Sequence, residues 1–327
     1  MPITIDSGLQ EAPISLLIAV HNRVELTRAC LDSVLAHADT DPFAEIVVID
    51  DCSTDGTGCY LGSLGDGFRV LTNETRGHFG LNMNRAAALA SSEYLLLLNN
   101  DTIVTAHWSR RMLDAARRDP AIAIVGNRQL HPETGLIVHA GIAFDHRFLP
   151  AHLHAGRAET FPPALIGREF QAVTGACWLI RRALFLKLGG FDVEYRNGWE
   201  DTDFCLRARA HGFRIWYAAE SVIYHHTSAS EGRFDHEDRN QARFGGIWRG
   251  KITPDLDLLL RGDGVTPPRR PLDEMEGEPS RLFLALRAMR RHRWLDGVFS
   301  ACLRVPGVLL LVDLCARGLR GRSFFRR

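Results

Sequence analysis

The feature that most constrains the fold of this chain is the alternation of short, strongly apolar runs with longer segments of helical spacing. The apolar runs stand at Ile14–Val20, Glu45–Asp50, 68–73 and 94–98, and each ends at a polar turn. Apolar runs of about four to eight residues bounded by turns are typical of buried strands. Because such strands alternate here with helices, the sequence predicts an α/β fold: a doubly wound, mostly parallel sheet with flanking helices.

Helical spacing also predicts where the covering elements lie. Apolar residues in 23–37 recur at intervals of about three to four, which predicts a helix with Asn22 as its N-cap. The same criterion predicts further helices at 81–90, 106–118, 182–187, 201–211 and 234–248. Additional strands are predicted at 121–125, 171–180, 214–217 and 221–225.

Length and composition suggest the domain plan. A chain of 327 residues with 46% hydrophobic and 24% charged residues fits one large domain with an appendage, not a disulfide-framed or disordered protein. Residues 253–280 hold eight prolines and glycines, which predicts a linker or a wrapping arm. The expected parts are therefore a domain over 1–252, this arm, and a basic amphipathic helical tail over 281–327.

The net charge of zero conceals an uneven distribution. Residues 281–327 carry eleven arginines and two acids, so the rest of the chain is as negative as the tail is positive. Because the body lacks a basic stripe, we expect an anionic membrane surface, and no nucleic acid, as the partner of the tail. The alternative is a basic helical hairpin packed on the acidic body or on a second subunit. The oligomeric state stays open.

The cysteines and the first residues of the sequence indicate the cellular compartment of the protein. The seven cysteines are odd in number and contain no C-x-x-C pair, and the first residues show no export signal. We therefore expect reduced thiols in a cytoplasmic protein. If the tail binds lipid, the protein lies on the inner face of the cell membrane.

Polar residues cluster where the first, second and fourth strands end. In chain order they are His21-Asn22-Arg23, Asp50-Asp51 and Asn99-Asn100-Asp101. The carboxyl ends of parallel strands share one edge, where ligands bind. The first strand lacks the glycine fingerprint that a dinucleotide site needs, which disfavours a Rossmann dehydrogenase. The oxygens of an Asn-x-Asp turn suit Mg²⁺ or Mn²⁺, although Asn and Asp also form turns that bind nothing.

A second acidic group lies at 199–207, Trp-Glu-Asp-Thr-Asp-Phe-Cys-Leu-Arg. Acids in the first turn of a helix complement its dipole, and Asp203 and Arg207 have the spacing of an i,i+4 ion pair. That explanation does not account for an aromatic residue and two carboxylates directly after the loop at 189–194. A carboxylate at the lip of a pocket is what a general base for a sugar hydroxyl requires. His225 ends a predicted strand and is either a structural histidine or a metal ligand.

Seven segments carry a resemblance to a known family. In order they are P-I-S-L-L-I-A-V-H-N-R, V-V-I-D-D-C-S-T-D-G-T, L-L-L-L-N-N-D-T, V-T-G-A-C-W-L-I-R-R, G-G-F-D, W-E-D-T-D-F-C-L-R and V-I-Y-H-H-T-S-A-S. Together they resemble the family 2 glycosyltransferases of the GT-A fold. They are most similar to the bacterial rhamnosyltransferase-type branch, which builds surface polysaccharides. The resemblance covers about residues 13–251.

The resemblance implies a role for individual positions. It implies that the nucleotide-sugar donor is bound by His21, Asp50, Asp51, Arg76, Gly77, Asn84, Asn99, Asn100, Gly175 and Ala176. It implies that Asp101 and His225 hold Mg²⁺ or Mn²⁺. It implies that Asp201 is the catalytic base and that Trp199 and Glu200 contact the acceptor. Asn99 stands where the D-x-D motif of the family has its first aspartate, which implies weaker metal binding.

The function that follows from the resemblance is an inverting sugar transfer in surface polysaccharide synthesis. The donor would be dTDP-rhamnose or a UDP-sugar, and the acceptor a glycan or a lipid-linked molecule. One alternative is a non-catalytic carbohydrate-binding or scaffold protein, which Asn99 favours. Another is a sugar nucleotidyltransferase, but the sequence lacks the glycine- and lysine-rich phosphate loop that such an enzyme needs after its first strand.

Overall fold

A computed structural model of the chain describes residues 14–227 and 235–267. Over these residues the protein forms a mixed sheet of ten strands with helices on both faces, plus a separate two-stranded hairpin. The α/β class predicted from the sequence is confirmed.

The strands and helices are as follows. The strands are β1 (Ile14–Val20), β2 (Glu45–Asp50), β3 (Phe68–Thr72), β4 (Tyr94–Asn99), β5 (Thr102–Val104), β6 (Ile122–Leu130), β7 (Ile137–His139), β8 (Ile142–Phe144), β9 (Pro150–His152), β10 (Arg168–Phe170), β11 (Cys177–Arg181) and β12 (Arg214–His225). The helices are α1 (Val24–Ala36), α2 (Thr57–Gly62), α3 (His78–Leu89), α4 (Trp108–Arg118), α5 (Arg182–Lys187), α6 (Glu200–Ala210), α7 (Glu237–Trp248) and α8 (Leu256–Gly262).

The four most apolar strands form the parallel half of the sheet, in the order β4-β1-β2-β3. Alternate side chains of β1 face opposite sides: Leu17 packs towards α3, α5 and α6, and Leu16 packs towards α1 and α4. Both are fully buried. Helices cover both faces, which is why these strands read as continuous apolar runs.

The other half of the sheet is mixed. β11 runs antiparallel to β4 and β6, and β12 runs parallel to β6. The predicted strand over 171–180 is wrong in its first half, since β11 begins at Cys177 and the preceding residues form a loop. The two strands predicted at 214–217 and 221–225 are one strand, β12, with an irregularity between Ala218 and Val222.

Asn22 is not the N-cap of the first helix. The cap position belongs to Arg23, which has left-handed backbone geometry and no capping side-chain bond. The Asn22 side chain instead accepts a hydrogen bond from the backbone N–H of Thr54 at 2.7 Å, and the backbone N–H of Asn22 donates to the Ser53 hydroxyl at 2.8 Å. A tertiary contact between the loops after β1 and β2 therefore replaces the local cap.

The predicted linker or wrapping arm contains helix α8. Leucines of α8 pack against an apolar cluster that includes residues of β7, β8, β10 and β12. At the end of the helix, Asp263 forms an ion pair with Arg168 at 2.6 Å, and its carboxylate lies 2.8 Å from Nε2 of His154. The domain boundaries stay predictions, because the tail at 281–327 lies outside the described residues. Across residues 14–227 and 235–267, no helix has the length and apolarity that a membrane crossing requires.

Candidate active site

The carboxyl ends of β1, β2 and β4 open onto a cavity of about 510 Å³, within the range of about 300–1,000 Å³ usual for small-molecule sites. Twelve of the fifteen residues that the resemblance singled out line it. They are His21, Asp51, Arg76, Asn99, Asn100, Asp101, Gly175, Ala176, Trp199, Glu200, Asp201 and His225. The strand-end clusters are thus brought together with two segments far along the chain.

Asp50, Gly77 and Asn84 are not among the residues that line this cavity. Asp50 accepts a hydrogen bond from the backbone N–H of Ser53 at 3.0 Å. Asn84 exchanges two hydrogen bonds with the backbone of Phe191, at 2.8 and 2.9 Å. In this structure the three residues support the loops around the cavity, and a direct contact with nucleotide stays a prediction for them.

Asp51 organises the loop between β3 and α3. Its carboxylate accepts hydrogen bonds from the backbone N–H groups of Gly77 and His78 at 2.6 and 3.1 Å, and from the Asn73 side chain at 2.8 Å. Burial acts to raise the pKa of Asp51, but these bonds and the charge of Arg76 outweigh it, and the pKa is lowered. The carboxylate is therefore ionised at neutral pH and holds the loop in place.

Arg76 lies against two of the predicted nucleotide contacts. Its Nε donates to Asp51 at 3.1 Å, and its Nη1 contacts Nε2 of His21. Nδ1 of His21 lies 2.8 Å from the carbonyl oxygen of Asp51. Since Nε2 accepts from the guanidinium, Nδ1 carries the proton of the neutral ring and donates it to that carbonyl. The Arg76 charge is thereby fixed at the cavity wall.

Asp101 and His225 meet because β5 pairs with β12, which places His225 opposite Thr102. Nε2 of His225 lies 3.3 Å from Oδ1 of Asp101, and about nine-tenths of each side chain is buried. Burial acts to raise the pKa of Asp101, but the contact with His225 outweighs it, and the pKa is lowered. Oδ1 nevertheless has no aligned hydrogen-bond partner among the described residues.

This pair fits a divalent cation. A buried, ionised carboxylate oxygen without a hydrogen bond faces an imidazole nitrogen, and Mg²⁺ and Mn²⁺ accept ligands of both kinds. Over the described ranges, no three His, Cys, Asp or Glu side chains lie close enough together to hold a metal ion by themselves. The remaining ligands would be water and donor phosphate oxygens, as is usual for Mg²⁺ in proteins.

Asp201 lies in the first turn of α6 with both carboxylate oxygens held. Oδ2 accepts from the backbone N–H of Gly175 at 2.7 Å, and Oδ1 accepts from the backbone N–H of Thr202 at 2.6 Å. A Cβ atom on residue 175 would lie 2.9 Å from Cβ of Asp201. The predicted floor of the sugar site and the predicted base are therefore in contact, and this contact requires glycine at 175.

Trp199 and Glu200 form the rim beside this carboxylate. Trp199 has left-handed backbone geometry, and its indole N–H donates to Glu237 at 3.1 Å. Glu200 is buried and accepts from the backbone N–H of Gly198 at 2.6 Å. Next to them, Asp203 forms the expected ion pair with Arg207 at 2.8 Å, which confirms its structural role.

Sequence analysis missed one wall of the cavity. Ile142, Pro150 and His152, from the β8–β9 hairpin, line it together with Asn197 and Glu237. The hairpin strands have three residues each, too few to show a periodic pattern. Glu237 resembles any acid in the first turn of a helix, and only its bond to Trp199 reveals its place.

A family model for glycosyl transferase family 2 matches residues 15–189. This chain is a family 2 glycosyltransferase. The match spans β1 through α5 and includes Asp101 and the turns after β1, β2 and β4, whereas Asp201 and His225 lie beyond it.

Sequence relatives of this glycosyltransferase come from several bacteria. An uncharacterised protein, y4gI, of Sinorhizobium fredii is 29% identical over 70% of this chain, and the O-antigen biosynthesis protein RfbC of Myxococcus xanthus is 32% identical over 66%. The aligned region makes up 26% and 17% of those two proteins. An N-acetylglucosaminyl-diphospho-decaprenol L-rhamnosyltransferase of Mycobacterium tuberculosis is 24% identical over 59% of this chain and 70% of its own length.

A solved structure supports the fold. The structure of GalNAc-T7 with UDP, GalNAc and Mn²⁺ superposes with a TM-score of 0.57 and 18% identity, over 80% of this chain and 56% of that one. At this level of sequence identity, the similarity is evidence for the fold alone. The predicted GT-A fold of this family 2 glycosyltransferase is confirmed.

Proposed function

We propose that this glycosyltransferase moves a sugar from a nucleotide-diphosphate donor to a hydroxyl group of a glycan or lipid-linked acceptor, with inversion at the anomeric carbon. The observation that carries the proposal is the convergence of Asp101, His225 and Asp201 on one cavity. The pair supplies a site for a cation beside a diphosphate, and the third residue supplies a base beside the sugar floor.

In this mechanism Asp201 takes the proton from the acceptor hydroxyl. The acceptor oxygen attacks the anomeric carbon from the face opposite the diphosphate, and the bond from that carbon to the diphosphate oxygen breaks. The hydrogen bonds from Gly175 and Thr202 hold the Asp201 carboxylate in place for the transfer. General base catalysis of this kind contributes about 10²–10⁴-fold. A bound Mg²⁺ or Mn²⁺ at Asp101 and His225 would supply charge stabilisation to the leaving diphosphate.

The relatives support a role in polysaccharide or O-antigen synthesis. Among them are an O-antigen biosynthesis protein and a rhamnosyltransferase that acts on a diphospho-decaprenol substrate. For this chain we propose dTDP-rhamnose or a UDP-sugar as donor and a glycan or lipid-linked acceptor. We further propose that the basic residues of 281–327 bring the enzyme to an anionic membrane surface, where such acceptors lie.

A panel of donors tests the proposal. The 327-residue chain is incubated with dTDP-rhamnose and with UDP-hexoses, with Mn²⁺ or with EDTA, and release of the nucleoside diphosphate is measured in the presence of acceptor glycans. We expect release from one donor class, and its loss in EDTA. If no donor is consumed with any acceptor while the protein is folded, transferase activity is disproved.

The same panel distinguishes a transferase from the second candidate, a protein that binds carbohydrate without catalysis. Asn99, in place of an acidic residue beside Asp101, favours a non-catalytic carbohydrate-binding or scaffold role, since it removes one charged ligand. Such a protein would bind glycans in a calorimetric titration without releasing nucleotide.

The base assignment is tested by Asp201→Asn. We expect a loss of kcat of about 10²–10⁴-fold with donor binding retained, because the amide cannot take up the proton. Asp39→Asn is the matched control, since Asp39 is exposed on the turn after α1. Near-normal turnover of Asp201→Asn would show that another group is the base.

A further inference from the structure

Two fully buried polar side chains lie on β6 behind the cation site. Asn127 and Gln129 both have 0% exposure. Burying an amide costs free energy unless the amide is hydrogen-bonded. Two apolar side chains would fill the same space without that cost. Their contacts therefore point to a role beyond packing.

Gln129 joins Asn127 to His225. Its Nε2 donates to Oδ1 of Asn127 at 3.3 Å, and its Oε1 lies 2.8 Å from Nδ1 of His225. Because the amide nitrogen is used by Asn127, the atom that faces the imidazole is a carbonyl oxygen, which can only accept. Nδ1 of His225 must therefore carry a proton.

The position of this proton decides what the other ring nitrogen can do. A neutral imidazole has one N–H group, so protonation of Nδ1 leaves Nε2 with a lone pair. Nε2 faces Oδ1 of Asp101 at 3.3 Å, and Oδ1 has no aligned hydrogen-bond partner among the described residues. When the ring is neutral, Nε2 and Oδ1 therefore both present lone pairs to the same buried point, as two ligands of one cation do.

We propose that Gln129 is a positioning residue that fixes His225 in the Nδ1–H tautomer and thereby sets the affinity of the site for a divalent cation. This inference rests on the proposed function for the identity of the site. Hydrogen bonds of this kind behind a metal ligand typically change metal affinity about 10–100-fold.

Three substitutions test the inference. Gln129→Met keeps the size of the side chain and removes the acceptor, whereas Gln129→Glu keeps an acceptor oxygen. Gln171→Met is the control for the same change of side chain, since Gln171 donates a hydrogen bond to the Thr253 carbonyl at 2.7 Å and lies outside the cavity lining.

The first readout needs neither metal nor activity. At a pH where the His225 ring is neutral, long-range ¹H–¹⁵N NMR of metal-free protein labelled at histidine distinguishes the two tautomers, and a His225→Asn variant assigns the signal. We expect the Nδ1–H tautomer in the wild-type protein and in Gln129→Glu, and its loss in Gln129→Met. An Nε2–H tautomer in the wild-type protein overturns the inference, and this result holds even if a variant fails to fold.

The second readout is a titration with Mn²⁺ alone, followed by electron paramagnetic resonance of the free ion. We expect Gln129→Met to bind Mn²⁺ about 10–100-fold more weakly than the wild type, and Gln129→Glu and Gln171→Met to retain binding. Equal affinity of Gln129→Met and wild type, or an equal loss in Gln129→Glu, overturns the inference. If the donor panel shows no transfer, the proposed function fails, while the tautomer and Mn²⁺ results still decide the role of Gln129.

Discussion

At the scale of single residues, the sequence motifs identified the polar side chains of the candidate site but not the residues that hold those side chains in position. Asp101, Asp201 and His225 stand in recognisable segments, and all three line the cavity. The acceptor oxygen behind His225 belongs to Gln129, 96 positions away. No local pattern marks such a partner, because the pairing of β6 with β12 creates it.

Gly175→Ala tests the contact between the sugar floor and the base. The added Cβ would lie 2.9 Å from Cβ of Asp201, so the carboxylate must move. Because a displacement of about 1 Å can cost 10²-fold in rate, we expect kcat to fall about 10²-fold in a folded protein. Gly62→Ala is the control, since its Cβ would meet nothing within 4 Å. Unchanged kcat in Gly175→Ala would contradict the proposed contact.

Asp51→Asn tests the loop-ordering role of that carboxylate. Hydrogen bonds to a charged group contribute about 1.5–3 kcal/mol, so we expect a loss of about this size in urea unfolding at pH 7. The pKa of Asp51 is lowered in the folded protein. Its contribution is therefore complete above the unfolded pKa of about 3.9 and is lost as the pH falls through the folded value. The difference between wild type and variant should shrink as the pH approaches 3, and a constant difference would contradict this account.

At the scale of elements, apolar patterning located the long strands and most helices. It divided β12 in two, at 214–217 and 221–225, because Glu220 interrupts the apolar run. In the structure the strand continues past its irregularity to pair with β5, and this pairing delivers His225 to Asp101. Tertiary pairing thus overrides a local break in the pattern.

Helix α4 shows the same dependence on a distant partner. Its cap residue His107 makes no side-chain capping bond. The fully buried carboxylate of Asp41 instead accepts from the backbone N–H groups of His107 at 2.6 Å and Ser109 at 2.8 Å. A residue from the turn after α1 therefore caps α4.

Asp41→Ala should destabilise the fold by about 1–3 kcal/mol, because it leaves buried N–H groups without partners. Chemical denaturation measures the loss, and KM for the donor should not change. The control is Asp39→Ala, an exposed aspartate of the same turn. Equal stability of the two variants would show that the Asp41 cap contributes nothing.

At the scale of the whole molecule, the charge of the C-terminal tail gives a prediction that does not depend on the site. The 327-residue chain should sediment with vesicles of an anionic phospholipid and remain in solution with zwitterionic vesicles. A chain that ends at Ser280 should lose this binding, because it lacks eleven arginines, each worth about 1 kcal/mol near an anionic surface. Added salt should weaken the binding by screening. Equal sedimentation of both chains would contradict the lipid proposal.

The sequence by itself determined the α/β class, the four parallel strands and the edge at which the polar turns gather. It could do so because strands buried on both faces are continuously apolar in sequence, and because the carboxyl ends of parallel strands lie at one edge of the sheet. Only the tertiary structure decided that a glycine abuts Asp201, that a glutamine faces His225 and that a short hairpin walls the cavity. Those contacts join residues that are distant along the chain, and their hydrogen bonds depend on which atoms the packed sheet places within about 3 Å of each other.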